Sequence, residues 1–88
     1  MIRRRVIVHG RVQGVFFRDT TRRMAESRGV SGWAGNRPDG AVEAVFEGEP
    51  DPVESMIEFC REGPGRAEVE RVEVTEEQPE GLSGFAIR

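Results

Sequence analysis

The chain has 88 residues, a net charge of −3 and one cysteine, and these values exclude several classes of protein. The length fits one domain over residues 1–88, and one cysteine with one histidine provides neither a disulfide nor a structural zinc site. The negative charge argues against nucleic-acid binding, and no apolar run is long enough for a membrane span or a signal peptide. We therefore expect a cytoplasmic protein without a metal, a nucleic-acid partner or membrane attachment.

Hydrophobic periodicity and turn residues divide the chain into strands and helices. The predicted segments are, in chain order, a strand over 2–9, a glycine-bearing turn over 10–15, a helix over 17–28, a strand over 30–36, a turn at Pro38-Asp39-Gly40, a strand over 42–47, a helix over 52–62, a strand over 67–76 and a short strand that contains Phe85 and Ile87. This order is β-α-β-β-α-β with a short extra strand. It predicts the ferredoxin-like α+β fold, in which two helices cover one face of an antiparallel sheet.

Local signals add detail to the second half of the chain. Apolar residues from Val53 to Cys60 keep the spacing of one helix face, and Asp51 before Pro52 predicts the N-cap of that helix. Val69 is out of phase with the apolar residues that follow it, which a β-bulge or a late strand start would explain. The third strand alternates apolar and acidic residues and is expected to be half-buried.

The segment from Gly10 to Arg18 is the most informative part of the sequence. Gly10 and Gly14 allow a tight turn and a close approach of the backbone to a ligand. Backbone N–H groups at a helix start favour an anion, and Arg18 adds a planar, permanently charged group that suits phosphate. The segment therefore predicts a phosphate-binding loop.

A second polar group is expected near this loop. One helix joins the first two strands, so the strands point the same way and end at the same edge of the sheet. Asn36 stands at the end of the second strand. An arginine and an amide near a phosphate suggest an anion clamp and a group that orients a neutral partner such as water.

With these residues the sequence resembles the acylphosphatase family over nearly its whole length. The first family motif is matched by Gly10, Val12-Gln13-Gly14, Phe17 and Arg18, and the second by Gly32-Trp33-Ala34, Asn36, Gly40, Val42 and Gly48. Two motifs at compatible spacing are far more specific than one glycine loop. One departure is Gly35, which stands where the family usually has a longer, often basic residue.

The resemblance implies hydrolysis of acyl phosphates to a carboxylate and inorganic phosphate, with no cofactor, metal or covalent intermediate. It implies that Arg18 binds the phosphoryl oxygens and that Asn36 positions the attacking water. The backbone N–H groups that would complete the phosphate site belong to Gln13, Gly14, Val15, Phe16, Phe17 and Arg18. Because an amide cannot take a proton at neutral pH, we expect a phosphoryl oxygen of the substrate to accept it.

Two other functions fit a small βαββαβ domain. One is a non-catalytic phosphate- or carbamoyl-phosphate-binding regulatory module, and the other is an RNA-binding module. The presence of both Arg18 and Asn36 favours the enzyme, because simple anion binding would not require the amide. The net charge argues against RNA. We expect a monomer that acts on a small acyl phosphate.

The remaining conspicuous residues have structural interpretations. Cys60 is expected to be a buried apolar residue, and His9 to be passive, with no partner evident in the sequence. The arginines at residues 3–5 are expected to form a solvated edge, and Trp33 to lie in the core. Asp19 is expected to favour the helix start or hold an arginine, outside the site.

Overall fold

The computed structural model describes residues 1–88 as five strands and two helices. Their bounds are β1 Ile2–Arg11, α1 Phe17–Ser27, β2 Ser31–Asn36, β3 Val42–Gly48, α2 Pro50–Glu62, β4 Glu68–Glu77 and β5 Phe85–Ile87. The predicted order of elements is confirmed. No helix is long and apolar enough to cross a bilayer.

The five strands form one sheet in the order β4-β1-β3-β2-β5. The four long strands pair antiparallel, as the sequence predicts, and β5 extends the sheet by pairing parallel to β2. Because β1 and β2 both run antiparallel to β3, they point the same way. Their last residues, Arg11 and Asn36, therefore lie at the same edge of the sheet.

The two helices pack on one face of the sheet and enclose the core. Val6, Val8 and Phe46 supply the sheet side of this core and are fully buried. The helix side comes from the predicted stripes, whose buried members are Phe17, Thr21, Ala25, Val53, Met56, Ile57 and Cys60. Burial of a large apolar side chain contributes about 1.5–3 kcal/mol, so these stripes fix the position of both helices.

The start of α2 differs from the prediction. The helix begins at Pro50, not after an Asp51 N-cap, and Glu49 is the extended residue before it, with φ −66° and ψ 151°. Its side chain makes no capping hydrogen bond. Proline fits the first helical position because it has no N–H that would need an acceptor there.

The predicted bulge is present in the pairing of β1 with β4. The register shifts between His9, which pairs with Arg71, and Gly10, which pairs with Val69. Gly10 has φ 130°, and a Cβ at this position would lie 2.1 Å from the backbone oxygen of Glu68. The bulge therefore requires a glycine at the point where β1 turns toward the predicted phosphate-binding loop.

The sheet face opposite the helices contradicts two expectations. The arginines at residues 3–5 do not form a solvated edge, because β1 lies between β4 and β3. Arg3 is almost fully buried, and its guanidinium donates to Glu47 at 2.6 Å and to Glu77 at 2.8 Å. β3 is not half-buried either, since Val45 and Glu47 on its outer face are as buried as the core.

Glu47 fastens the loop between β4 and β5 to this face. Its carboxylate accepts backbone N–H groups of Glu80, Gly81 and Leu82 at 2.9–3.1 Å, in addition to the Arg3 guanidinium. Burial acts to raise the pKa of Glu47, but these hydrogen bonds outweigh it and lower the pKa. The loop that carries the chain to β5 is thus anchored by a charged, fully bonded carboxylate.

Candidate active site

The loop between β1 and α1 adopts a conformation that leaves its backbone N–H groups free. Gly14 has φ 74°, and Phe16 is left-handed with φ 61° and ψ 25°, the only non-glycine residue with positive φ. No backbone N–H from residue 13 to residue 16 donates a hydrogen bond within the protein, and no side chain caps α1. A left-handed conformation of a non-glycine residue costs about 1–3 kcal/mol, so the surrounding structure must stabilise this loop by at least that amount.

A cavity of about 270 Å³ opens directly above this loop. Its walls come from the loop, the first turn of α1, the end of β2 and the end of β5. The lining residues are Val12, Gly14, Phe16, Phe17, Arg18, Asp19, Asn36 and Ile87. The predicted pair Arg18 and Asn36, from two different elements, therefore meets at one cavity.

The guanidinium of Arg18 is held in place by the end of β5. Its Nη1 donates to the backbone oxygen of Arg88 at 3.1 Å. The N–H of Arg88 in turn donates to Ala34 of β2 at 2.8 Å, so this backbone is part of the sheet. Arg18 has no carboxylate partner, and its other N–H groups are available to an anion. The role of this backbone oxygen is not evident from the sequence, because it depends on the parallel pairing of β5.

The side chain of Gln13 joins the two halves of the site. Its Nε2 donates to the backbone oxygens of Arg37 at 2.8 Å and Ala41 at 2.9 Å, which lie in the turn between β2 and β3. Asn36 immediately precedes this turn, and its side chain is exposed at the cavity. Gln13 thus fixes the phosphate-binding loop relative to Asn36. Sequence reasoning assigned only its backbone N–H to the site and missed this contact.

Comparison with known proteins identifies the family. The family model described as Acylphosphatase matches residues 4–87 of the chain. The chain belongs to the acylphosphatase family. It is 57% identical over 86 residues to an acylphosphatase of Haloarcula marismortui, covering 98% of this chain and 94% of that protein. It is 60% identical over 85 residues to an acylphosphatase of Rubrobacter xylanophilus, covering 96% and 77%.

The fold comparison agrees with the sequence comparison. The crystal structure of acylphosphatase from Bacillus subtilis superposes with a TM-score of 0.96 at 39% identity, covering 100% of this chain and 99% of that one. The similarity therefore extends over whole acylphosphatases. The chain is an enzyme of this family, and its reaction is the hydrolysis of the carboxyl–phosphate anhydride of acyl phosphates to a carboxylate and inorganic phosphate.

The structure explains how this acylphosphatase sequence accommodates Gly35. A Cβ at Gly35 would lie 3.3 Å from the Cβ of Arg88 and 3.4 Å from its backbone oxygen. The Arg88 guanidinium lies 4.2 Å from the ring centre of Trp33, and that of Arg5 lies 5.6 Å from it. The sequence suggested that Trp33 lies in the core, and this expectation is wrong. Trp33 is half-buried on the outer face of the sheet, where the guanidinium groups of two arginines lie over its ring. Arg88 occupies the space beside Gly35.

Two further expectations about polar residues need correction. Asp19 does line the cavity, although the sequence placed it outside the site. Its two carboxylate oxygens are engaged by Arg22 at 2.8 Å and Arg23 at 3.0 Å, so the expectation that it holds an arginine is confirmed. His9 does have a partner, the carboxylate of Glu73 across the β1–β4 pairing, and this hydrogen bond lowers the pKa of Glu73.

Two further predicted residues, Val15 and Cys60, have side chains that face away from the 270 Å³ cavity. The side chain of Val15 packs against the core, so only its backbone N–H could contribute to the predicted phosphate site. Cys60 is buried as expected, and burial raises the pKa of its thiol to about 12. No group of three or more histidine, cysteine or carboxylate side chains has the arrangement of a metal site.

Proposed function

We propose that Arg18 and Asn36 are the catalytic residues of acyl phosphate hydrolysis in this enzyme. The phosphoryl group would occupy the 270 Å³ cavity, where it meets both side chains. The backbone N–H groups proposed to hold it belong to Gln13, Gly14, Val15, Phe16, Phe17 and Arg18. The observation that carries the proposal is the convergence of Arg18 and Asn36 on one cavity above N–H groups that have no acceptor within the protein.

Phosphoryl binding follows from the charge and direction of these donors. The first N–H groups of α1 lack acceptors and carry the positive end of the helix dipole. The Arg18 guanidinium, fixed by its hydrogen bond to the Arg88 backbone, presents further donors to the same anion. As the leaving carboxylate departs, negative charge spreads over the phosphoryl oxygens, and donors that are already oriented stabilise it without rearrangement.

Asn36 supplies the second requirement, a positioned nucleophile. Its carboxamide is exposed at the cavity and has no hydrogen-bond partner in the protein, so it can accept a hydrogen bond from water and direct the oxygen toward phosphorus. The carboxylate leaving group needs little protonation. We propose that the proton of the attacking water passes to a phosphoryl oxygen, since the amide cannot hold it.

The cavity wall favours direct attack by water. No hydroxyl, thiol or imidazole lines it, which leaves Asp19 as the one protein group that could act as a nucleophile or base. Both oxygens of that carboxylate are occupied by Arg22 and Arg23. A phosphoenzyme intermediate is therefore absent from the proposed mechanism, and we propose that the reaction needs no metal ion.

We also propose that residues 1–88 act as a single domain and as a cytoplasmic monomer on a small substrate. Only four large apolar side chains are exposed, and two of them, Phe16 and Ile87, line the cavity, which fits a chain without a permanent partner. The net charge of −3 fits the absence of a nucleic-acid partner.

Hydrolysis in ¹⁸O-labelled water tests the mechanism. Benzoyl phosphate is incubated with the enzyme and a metal chelator, and both products are analysed by mass spectrometry. Attack at phosphorus places one ¹⁸O in inorganic phosphate and none in benzoate. The label in benzoate would show attack at the carbonyl carbon and would remove the role given to Asn36. Loss of turnover in chelator would overturn the metal-free mechanism.

A further inference from the structure

A second cavity, of about 470 Å³, lies beside the first. It is bounded by the phosphate-binding loop, by Thr20 of α1 and by the turn that joins α2 to β4. The lining residues are Gly14, Val15, Phe16, Thr20, Pro64, Gly65 and Arg66. Gly14 and Phe16 line both cavities, so the two spaces are neighbours along the loop.

This connection matters because an acyl phosphate has two parts. If the phosphoryl group occupies the smaller cavity, as proposed above, the acyl group must leave that cavity across its rim. Phe16 stands at this rim and also lines the larger cavity. An aromatic or longer acyl group extends farther past the rim than an acetyl group does.

Phe16 has the properties of an apolar contact surface for such a group. Its side chain is 80% exposed, the most exposed large apolar side chain in the chain. Its backbone is left-handed, with φ 61°, and the residue lines both cavities. An aromatic ring contributes about 0.5–1.5 kcal/mol when it packs against another ring, in addition to the area it buries.

Arg66 gives the second cavity its charge. It is the only charged residue of the lining, and its guanidinium has no carboxylate partner, whereas eight of the thirteen arginines are ion-paired. The cavity therefore offers an apolar wall and one uncommitted cation. A ligand that satisfies both has an apolar body and a negatively charged far end.

We propose that the second cavity is the acyl-group subsite of the enzyme, and that it selects acyl phosphates whose acyl group has an apolar body and a distal carboxylate. Phe16 contacts the body, and Arg66 attracts the carboxylate. The inference rests on the proposed placement of the phosphoryl group above residues 13–18.

A matched pair of rigid substrates tests the role of Arg66. 4-Carboxybenzoyl phosphate and 4-methylbenzoyl phosphate differ only at the far end of the ring, and their ratio of kcat/KM is measured at low ionic strength. We expect Arg66→Gln to lower this ratio about 3- to 5-fold, because an exposed ion pair has an effect of this size. Arg61→Gln, an exposed arginine outside both cavities with the same charge change, should leave the ratio within about 1.5-fold.

The same assay tests Phe16. The ratio of kcat/KM for 4-methylbenzoyl phosphate over acetyl phosphate should fall about 3- to 10-fold in Phe16→Ala. A ratio within a factor of two of the unmodified enzyme in both Arg66→Gln and Phe16→Ala, or an equal fall in Arg61→Gln, would overturn the subsite. Hydrolysis of acetyl phosphate by Arg18→Ala distinguishes a failure of the acyl subsite from a failure of the proposed phosphoryl site. If Arg18→Ala still hydrolyses acetyl phosphate at the normal rate, the phosphoryl site is wrong; if it does not, only the acyl subsite is in question.

Discussion

The two ends of the sheet differ in how their arginines are paired, although Arg37 and Arg71 at the end where β1 stops also have carboxylate partners. At the end where β1 begins, the side chains of residues 3–5 are ion-paired with glutamates of β3 and β4. At the end where β1 stops, four arginines have no carboxylate partner, and these are Arg11, Arg18, Arg66 and Arg88. Arginine therefore neutralises buried carboxylates at one end, whereas at the other end unpaired arginines are available for the anion binding proposed above.

The difference follows from what each end must do. A buried guanidinium is costly unless carboxylates surround it, and Arg3 has two within 2.8 Å. A guanidinium proposed to bind a substrate anion has to stay free of carboxylate side chains, and Arg18 is held by the backbone oxygen of Arg88 instead. The net charge of −3 therefore does not describe every part of the chain, because unpaired arginines stand near the cavity and would attract an anionic substrate.

The largest expected effect is at the paired end. Arg3→Leu leaves Glu47 buried without its counterion and should lower the free energy of unfolding by about 3–5 kcal/mol. Arg4→Leu is the matched control, because Arg4 pairs with a glutamate that is 78% exposed, and it should cost at most about 1 kcal/mol. Urea denaturation of both variants measures the difference. Equal costs for the two would contradict the distinction between buried and exposed pairs.

The next largest effect is at the unpaired end. Arg18→Ala should lower kcat/KM for benzoyl phosphate by about 10²–10³-fold, as for the loss of one donor of a preorganised anion site. Its free energy of unfolding should fall by no more than about 1 kcal/mol, since the variant loses one exposed hydrogen bond to the Arg88 backbone and no ion pair with a side chain. Arg18→Lys should restore little activity because a point charge cannot reproduce the planar donors. Steady-state kinetics with urea denaturation on the same samples would show whether activity and stability separate in this way.

A smaller effect is expected from the amide at the same end. Asn36→Ala should lower kcat by about 10²-fold while KM changes little, because a misplaced nucleophile slows the reaction more than it weakens binding. Asn36→Asp, which keeps the size but adds a negative charge, should also raise KM. If Asn36→Ala raised KM and left kcat unchanged, the amide would be a binding group and not the residue that positions water.

The smallest predicted effect is on the loss of folding stability at acidic pH. Hydrogen bonds from Arg5 and then Arg3 lower the pKa of Glu77 below the ordinary value of 4.5. The unfolded chain therefore binds a proton at higher pH than the folded chain, so the stability that Glu77 contributes is present above about pH 4.5 and is lost as pH falls. Urea denaturation from pH 7 to pH 3 should give a shallower decline for Glu77→Gln. An equally steep decline would show that this carboxylate is not linked to folding.

The local sequence was sufficient for the elements and for the expectation that Arg18 and Asn36 meet at one place, which the shared cavity confirms. Apolar spacing from Val53 to Cys60 predicts a helix face because a helix returns to the same side every 3.6 residues, and that face is buried. Gly14 and Arg18 could be assigned to an anion site because backbone freedom and a permanent charge belong to the residues themselves. Asn36 could be added because one crossover helix makes β1 and β2 point the same way.

The tertiary structure alone decided which arginines are neutralised and what holds the site together. Whether residues 3–5 lie at an edge or in the centre depends on the partners of β1, and those partners are about 40 and 70 residues away. The same is true of the Gln13 side chain, which bonds to the turn after β2, and of the Arg88 backbone that holds Arg18. Periodicity reports which way a side chain points along its own strand, whereas long-range pairing determines what it meets there.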